Sequence, residues 1–299
     1  MNDRSAHQLS ENDISTGLIT RRVGRRIIVL PKVDSTNTHA LQTLAPRDGP
    51  AADGTVVFAE RQTAGRGRLG RTWHSPAGAS LMCTTLLREP ENAARAAFWM
   101  MAGALAVVKA IESATDVSPQ IRWPNDIYVG PRKLAGILVE ASVIARDSMH
   151  CGTAVSAVNN GEIAAPQSAS TYGISSAWLA IGIGINCLQQ PAHFPDEIRA
   201  GSTSLDIESR GPIDRIALAR ALLTQLDAVF ANPAAISEDD LAAEWSAHSA
   251  DIGQRVTLVH GREQATGVIL DIHPREGLLL QPDAGPPRHF DPATTSRSS

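Results

Sequence analysis

Between Arg95 and Lys109 the chain carries an unbroken apolar run, Ala96 to Val108. A bilayer span takes about 20 such residues, so this run is read as the core helix of a globular fold, extending over residues 92–115. Strand-like runs flank it. Residues 26–31 (RIIVLP), 55–59 and 80–87 precede it, and residues 121–129 read as two short strands broken at WPND. Residues 134–144 and 178–185 are expected to pair as core strands. Between them, residues 146–176 are rich in Ala, Ser, Asn and Gly, the composition of a loop or long hairpin tip. Helix starts are expected around Asp34, Ser35 and Asn37, at Asp214, and at Ser237, where Asp240 three residues on makes a weak variant of a capping box.

From about Asp251 the pattern changes. RVTLV, TGVILDI and GLLLQ are separated by turns at Gly261 and Gly277 with no long helix between them, as in a small β-barrel or sandwich. We therefore expect residues 23–248 to form one domain and residues 249–299 a second, with residues 1–22, largely polar, disordered or loosely packed. A chain of 299 residues is long enough for this division, and 43% hydrophobic with 19% charged residues is a soluble globular profile. Net charge −4 argues against an electrostatic nucleic-acid binder, and 4% aromatics against a stacking platform for single strands. Cys83, Cys151 and Cys187 lie far apart without a CxxC pair, which argues against a disulfide scaffold and for a reducing compartment. The histidines show no HExxH or similar spacing, so no structural zinc site is expected. MNDRSAHQLSENDIS lacks an apolar signal-peptide core, and a cytoplasmic location is expected, with no membrane partner.

The stretch RQTAGRGRLGR (61–71) carries Arg61, Arg66, Arg68 and Arg71 with Gly65, Gly67 and Gly70 and no acid. Glycines let backbone N–H groups close on a ligand, and arginines supply charge-assisted contacts to phosphate or carboxylate. The result is an anion-binding loop, though not a Walker A loop, because GxxxxGK[ST] is absent. An exposed basic turn or an RG-type RNA contact would show the same composition. In WPNDIYVGPRK (123–133), Asn125 and Asp126 sit at a strand break, suited to a ligand but equally to a common turn. Lys133 enters an apolar strand, either snorkelling or aimed at a ligand, and Gly136 leaves room beside it. In IGIGIN (181–186) the glycines mark either tight packing against a helix or a close approach of something else. Ser35, Thr36 and Asn37 are small polar groups of which a helix cap explains one or two.

Taken in order, STN, QTAGRGRLGR, RWPND, RKLAGILVE and GIGIN resemble the catalytic core of the biotin protein ligases (biotin–[acetyl-CoA-carboxylase] ligases), over about residues 26–290. The resemblance implies an α+β fold: a class II aminoacyl-tRNA-synthetase/biotin-ligase-like catalytic domain of mixed, mainly antiparallel sheet with flanking helices, plus a small C-terminal Src-homology-3-like β-barrel. It implies an enzyme that joins biotin and ATP into biotinyl-5′-AMP and then passes biotin to a lysine of a biotin carboxyl carrier domain, with magnesium beside the phosphates. Carried over by position, Ser35, Thr36, Asn37 and Gln62 would bind biotin. Arg66, Gly67 and Arg68 would form the closing loop, and Lys133 would stabilise the reacting carboxylate and α-phosphate. Lys133, Arg66 and Arg68 are thus the catalytic candidates. Gly136 and Gly182 would line the biotin floor. Trp123, Asn125, Asp126 and Asn186 would join Arg68 and Lys133 on the ATP side, Asp126 being the candidate for indirect contact with magnesium.

Where many members carry Lys before WPND, this chain has Arg122, which keeps the charge. Only about 25 residues precede the first strand, fewer than a winged helix-turn-helix needs, so a monofunctional ligase without operator-DNA binding is expected. A homodimer paired through sheet edges is a further implication of the resemblance. A lipoate–protein ligase or octanoyltransferase shares the architecture; the Gly-Arg loop favours biotin. A non-enzymatic nucleic-acid-binding module is the remaining alternative, and the charge and aromatic content weigh against it.

Overall fold

The computed structural model describes residues 8–89, 96–145, 155–157 and 174–298. Among the described residues, thirteen strands form two sheets. Strands β1 (Arg26–Leu30), β2 (Thr55–Ala59), β3 (Ser80–Glu89), β4 (Gln120–Arg122), β5 (Asp126–Val129), β6 (Arg132–Ala145), β7 (Val155–Ala157) and β8 (Ile174–Asn186) make the first. Its order is β1-β2-β3-β8-β6-β5-β4, with β7 beside β6. Among the described strands of this sheet, β1 and β2 pair in parallel and the other pairs are antiparallel. Both outer edges are blunted. Val29 N–H on β1 donates to the Glu11 carboxylate at 3.0 Å, and Ile121 on β4 bonds main chain at His248 and Ala250.

The helices are α1 (Glu11–Ser15), α2 (Thr36–His39), α3 (Ala45–Asp48), α4 (Ala96–Ala114), α5 (Asp196–Arg199), α6 (Leu205–Glu208), α7 (Arg215–Phe230) and α8 (Glu238–Ala247). The apolar run explains α4: nearly every residue from Phe98 to Ile111 is buried, and the helix packs on one face of the sheet. There Gly103 lies over Ile137 and Ile181, and Trp99 meets Phe230 of α7 edge-on at 5.1 Å. The whole of α4, longer than its apolar run, is by length and composition able to cross a membrane, but it is mostly buried in the fold, as the core-helix reading of that run expects. On the opposite face, a smaller cluster of Leu41, Leu44, Val57, Leu86 and Trp178 is closed by α2, a π-turn over Ala40–Leu44, and α3. The rest of that face is left for a cavity.

The N-terminal expectation needs correction over residues 8–22. Ser10 caps α1 by accepting from Asp13 N–H, and Leu9 and Ile14 are buried. The Asp227 carboxylate accepts the N–H groups of Arg21, Arg22 and Val23, each at 2.8 Å. Two isolated apolar residues in a polar segment carry little periodic signal, so this docking was not legible. The expected pairing of 134–144 with 178–185 is present but longer, and β7 and the start of β8 occupy part of the predicted loop 146–176. The remainder of that loop, and the start of the predicted helix at residues 92–95, fall outside the described residues.

The second sheet has the order β12-β11-β10-β9-β13. Its strands are β9 (Arg255–His260), β10 (Glu263–His273), β11 (Gly277–Pro282), β12 (Arg288–Phe290) and β13 (Thr295–Arg297), all antiparallel to their neighbours. Gly261 and Gly277 turn with positive φ, at the places the sequence marks.

Candidate active site

The site grows from the period of two along β6 and β8. Ile137, Ile181, Ile183 and Ile185 are buried beneath α4 or in the same core. Gly136, Leu138, Gly182, Gly184 and Asn186 alternate with them and line a cavity of about 1140 Å³ on the other face. Gly136 and Gly184 are register partners, as are Leu138 and Gly182. The glycines in IGIGIN are required by what lies on them, not by a helix. A Cβ on Gly182 would stand 2.4 Å from Asn37 Oδ1, and one on Gly184 would stand 2.7 Å from the Trp73 ring.

Lys133 owes its aim to a defect in the ladder. Asp126 and Ile127 pair with Gly136 and Ala135, but Tyr128 and Val129 pair with Lys133 and Arg132, so Leu134 is an extra residue in β6. A bulge of this kind reverses the alternation, and Lys133 lines the same cavity as Gly136. Its Nζ lies 2.6 Å from Asp126 Oδ1. Gly136 lies beside the pair, where a Cβ would make only ordinary contact, at 3.4 Å, with Asp126 Oδ1 and Lys133 Nζ. Asn125, in the turn before β5 that holds the cis Trp123–Pro124 peptide, donates from Nδ2 to Ile137 O at 2.6 Å.

The Gly-Arg loop is a short hairpin, with Arg66 bridged to Thr72 and Gly67 N–H donating to Arg71 O at 2.7 Å. At its tip Leu69 is 41% exposed with φ +54, a left-handed conformation that costs a β-carbon residue about 1 kcal/mol. The two central arginines point in different directions. Arg66 Nη2 donates to Glu140 Oε2 at 2.8 Å and Thr38 Oγ1 at 3.1 Å. Arg68 reaches the second sheet, donating to Pro292 O and Thr295 O, and to Asn125 Oδ1 at 3.3 Å. Burial lowers the Arg68 pKa, while Asp126 counters it. Arg122, Arg255 and Arg297 extend the cationic lining toward the second sheet. Cys83 also lines the cavity, but burial pushes its thiol up to about 12, so it is no thiolate near neutral pH.

Such a pocket offers fixed donors and cations for an anionic ligand and, among the described residues, no activated cysteine. Comparison with known proteins agrees in kind. Residues 29–159 match the model of the Biotin/lipoate A/B protein ligase family. The chain is 30% identical to the Bacillus subtilis bifunctional ligase/repressor BirA over 93% of its own length and 76% of the relative's. It is also 30% identical to the Mycobacterium tuberculosis biotin–[acetyl-CoA-carboxylase] ligase, covering 93% of this chain and 92% of that one. The chain belongs to the biotin protein ligase family. The fold agrees: a biotin protein ligase from Aquifex aeolicus, solved with biotin and ATP, superposes with TM-score 0.68 at 23% identity, over 92% of this chain and 99% of that one.

Against this family background, the residues singled out from the sequence converge. Ser35, Thr36, Asn37, Gln62, Arg66, Gly67, Arg68, Trp123, Asn125, Asp126, Lys133, Gly136, Gly182 and Asn186 all line the one cavity, whereas Arg61 lies outside its lining. Several are already engaged. Gln62 Oε1 accepts from Thr36 N–H at 2.8 Å, and Asn186 donates to Thr203 O at 2.9 Å. Three contributors were missed. Trp73 covers Gly184 and keeps its indole N–H buried without a hydrogen-bond partner. Glu140 ends the quoted RKLAGILVE motif, and its even number on β6 was the available signal. Asp251 binds Trp123 N–H and Arg297, both at 2.6 Å, and nothing in its sequence neighbourhood marks it.

Proposed function

We propose that the chain is an ATP-dependent biotin–protein ligase that forms biotinyl-5′-AMP and transfers biotin to a specific lysine of a biotin carboxyl carrier domain. The observation that carries this reading is the shared cavity: the Gly-Arg loop, Lys133 and the Ser35–Asn37 triplet converge there in a member of this ligase family. In the first step the biotin carboxylate attacks the α-phosphorus of ATP and pyrophosphate leaves. Two anions must be held together, and the repulsion is cancelled by Lys133, Arg68 and loop N–H groups. The ion pair with Asp126 holds the Lys133 ammonium at the cavity wall. In the second step the carrier lysine attacks the acyl carbon and AMP leaves, with no covalent enzyme intermediate. Ser35, Thr36, Asn37, Gln62 and the glycine floor bind the biotin end. Trp123, Asn125 and Asn186 belong to the nucleotide end.

Among the described residues no three His, Cys, Asp or Glu side chains converge as a metal cage, and Asp126 is engaged with Lys133. In this reading magnesium arrives as part of the nucleotide substrate, and no step is routed through a resident ion. We read residues 23–248 as the catalytic domain and the five-stranded sheet as a Src-homology-3-like barrel, and place the enzyme in the cytoplasm with its carrier. The test is pyrophosphate exchange into ATP with biotin or lipoate supplied. Exchange dependent on biotin is expected; turnover of lipoate alone would overturn the assignment.

A further inference from the structure

One carboxylate oxygen holds two parts of this site at once. Glu140 Oε2 accepts from Asn37 Nδ2 and from Arg66 Nη2, both at 2.8 Å. Asn37 is locked on its other side, where Oδ1 accepts from Thr84 Oγ1 at 2.6 Å and sits over Gly182. A continuous path therefore runs from the cavity floor, through Asn37 and Glu140, to the Gly-Arg loop. The Glu140 side chain is only 11% exposed, so its charge is answered by Arg66 rather than by bulk water. Glu140 and Arg66 also line a second cavity of about 1190 Å³ on the far side of the loop. Arg66 lines both cavities, which places the ion pair in the partition between them.

We infer that Glu140 is a positioning residue: through Arg66 it fixes the Gly-Arg loop as a closed wall, and through Asn37 it makes that closure depend on the floor of the ligand cavity. It touches no reacting atom. Its loss opens the partition, exposing a bound acyl-adenylate to water and to foreign lysines. This rests on the ligase reading for its consequence, but the control of the loop does not.

The experiment has two independent arms. In the first, ligand-free wild-type protein, Glu140→Ala, Glu140→Gln and Arg66→Gln are digested with trypsin, and cleavage after Arg68 and Arg71, the loop sites that every variant keeps, is timed by mass spectrometry. Glu140→Ala and Arg66→Gln are expected to cleave about tenfold faster than wild type, the scale of one charge-assisted hydrogen bond. Glu140→Gln, which keeps an acceptor without the charge, falls between, and Glu140→Gln combined with Arg66→Gln is no faster than Arg66→Gln alone. Loop cleavage within twofold of wild type in Glu140→Ala, or additive effects in the double variant, overturns the inference. If Glu140→Ala does not fold, the Glu140→Gln and Arg66→Gln cycle decides. In the second arm, release of acyl-adenylate from the enzyme is measured with biotin and ATP. Faster release with a raised biotin KM and little change in kcat supports the role; a fall in kcat with unchanged release indicates a merely structural residue and overturns it. Failure of the wild type to turn over biotin defeats the ligase reading and leaves the proteolysis arm to judge Glu140.

Discussion

Lys133 shows how a single inserted residue creates a functional group's aim. Without the Leu134 bulge, strand alternation would put Lys133 on the same side as Ala135 and Ile137, against the core. Burying an ammonium there would cost several kcal/mol. With the bulge it joins Asp126 at the cavity wall. Replacing Lys133 by Ala is expected to cut adenylate formation by about two to three orders of magnitude, the usual cost of removing a charge-stabilising donor. The pair is partly exposed, so the thermal melt should move little, by no more than about 1 kcal/mol in stability. Pyrophosphate exchange and a melt on the same preparation check both halves, and wild-type exchange in the variant would remove Lys133 from the reaction. The sequence made the lysine conspicuous, as a cation entering an apolar strand. It could not decide between snorkelling and ligand contact, because that choice depends on the register of a neighbouring strand.

At the scale of elements, the Gly-Arg loop was legible as a tight cationic loop and illegible in its anchoring. Composition reveals neither that Arg66 turns to Glu140, 74 residues away, nor that Arg68 crosses to the carbonyls of Pro292 and Thr295. Similar limits held elsewhere. The β-branched runs located β1, β2 and β9–β11, whereas β12 and β13, of three residues each, carry too little pattern to be seen. The Ser237 cap was readable because one side chain and one N–H three residues on define it. The anchoring of the loop has a consequence. Changing Arg68 to Gly removes its bonds to the second sheet as well as a cation from the cavity, and the loop no longer retains the adenylate. Lysines on an unrelated protein mixed with the variant, ATP and biotin should then become biotinylated. Peptide mapping by mass spectrometry detects this, and labelling confined to the carrier would mean that Arg68 does not hold the loop closed.

The whole molecule depends on how the two sheets are fastened beside the cavity, and Asp251 is the fastening that the sequence hid. Its carboxylate is 1% exposed and joins Trp123 of the WPND turn to Arg297 of β13. Burial raises its pKa above the ordinary carboxylate value, and Arg297 and Trp123 N–H only partly offset that. A carboxyl whose pKa is raised on folding binds its proton more tightly in the folded state. Its contribution to stability is full below the ordinary carboxylate pKa and is lost as pH rises through the raised one. Asp251→Asn has no such titration. Urea unfolding followed from about pH 4 to pH 7, spanning the ordinary carboxylate value upward, should therefore show wild type losing stability relative to Asp251→Asn as pH increases. The opposite slope would mean that the Arg297 pair outweighs burial and holds the carboxylate charged. Asp251→Ala separates fastening from titration: it strands the Trp123 N–H and the Arg297 guanidinium together. A loss of about 2–3 kcal/mol is expected at neutral pH, because the cost of unmade bonds to buried groups exceeds the net worth of the bonds themselves. Arg68 draws on the same sheet through Pro292 and Thr295, so loosening at Asp251 should also speed adenylate release, linking the fastening of the two sheets to closure of the loop.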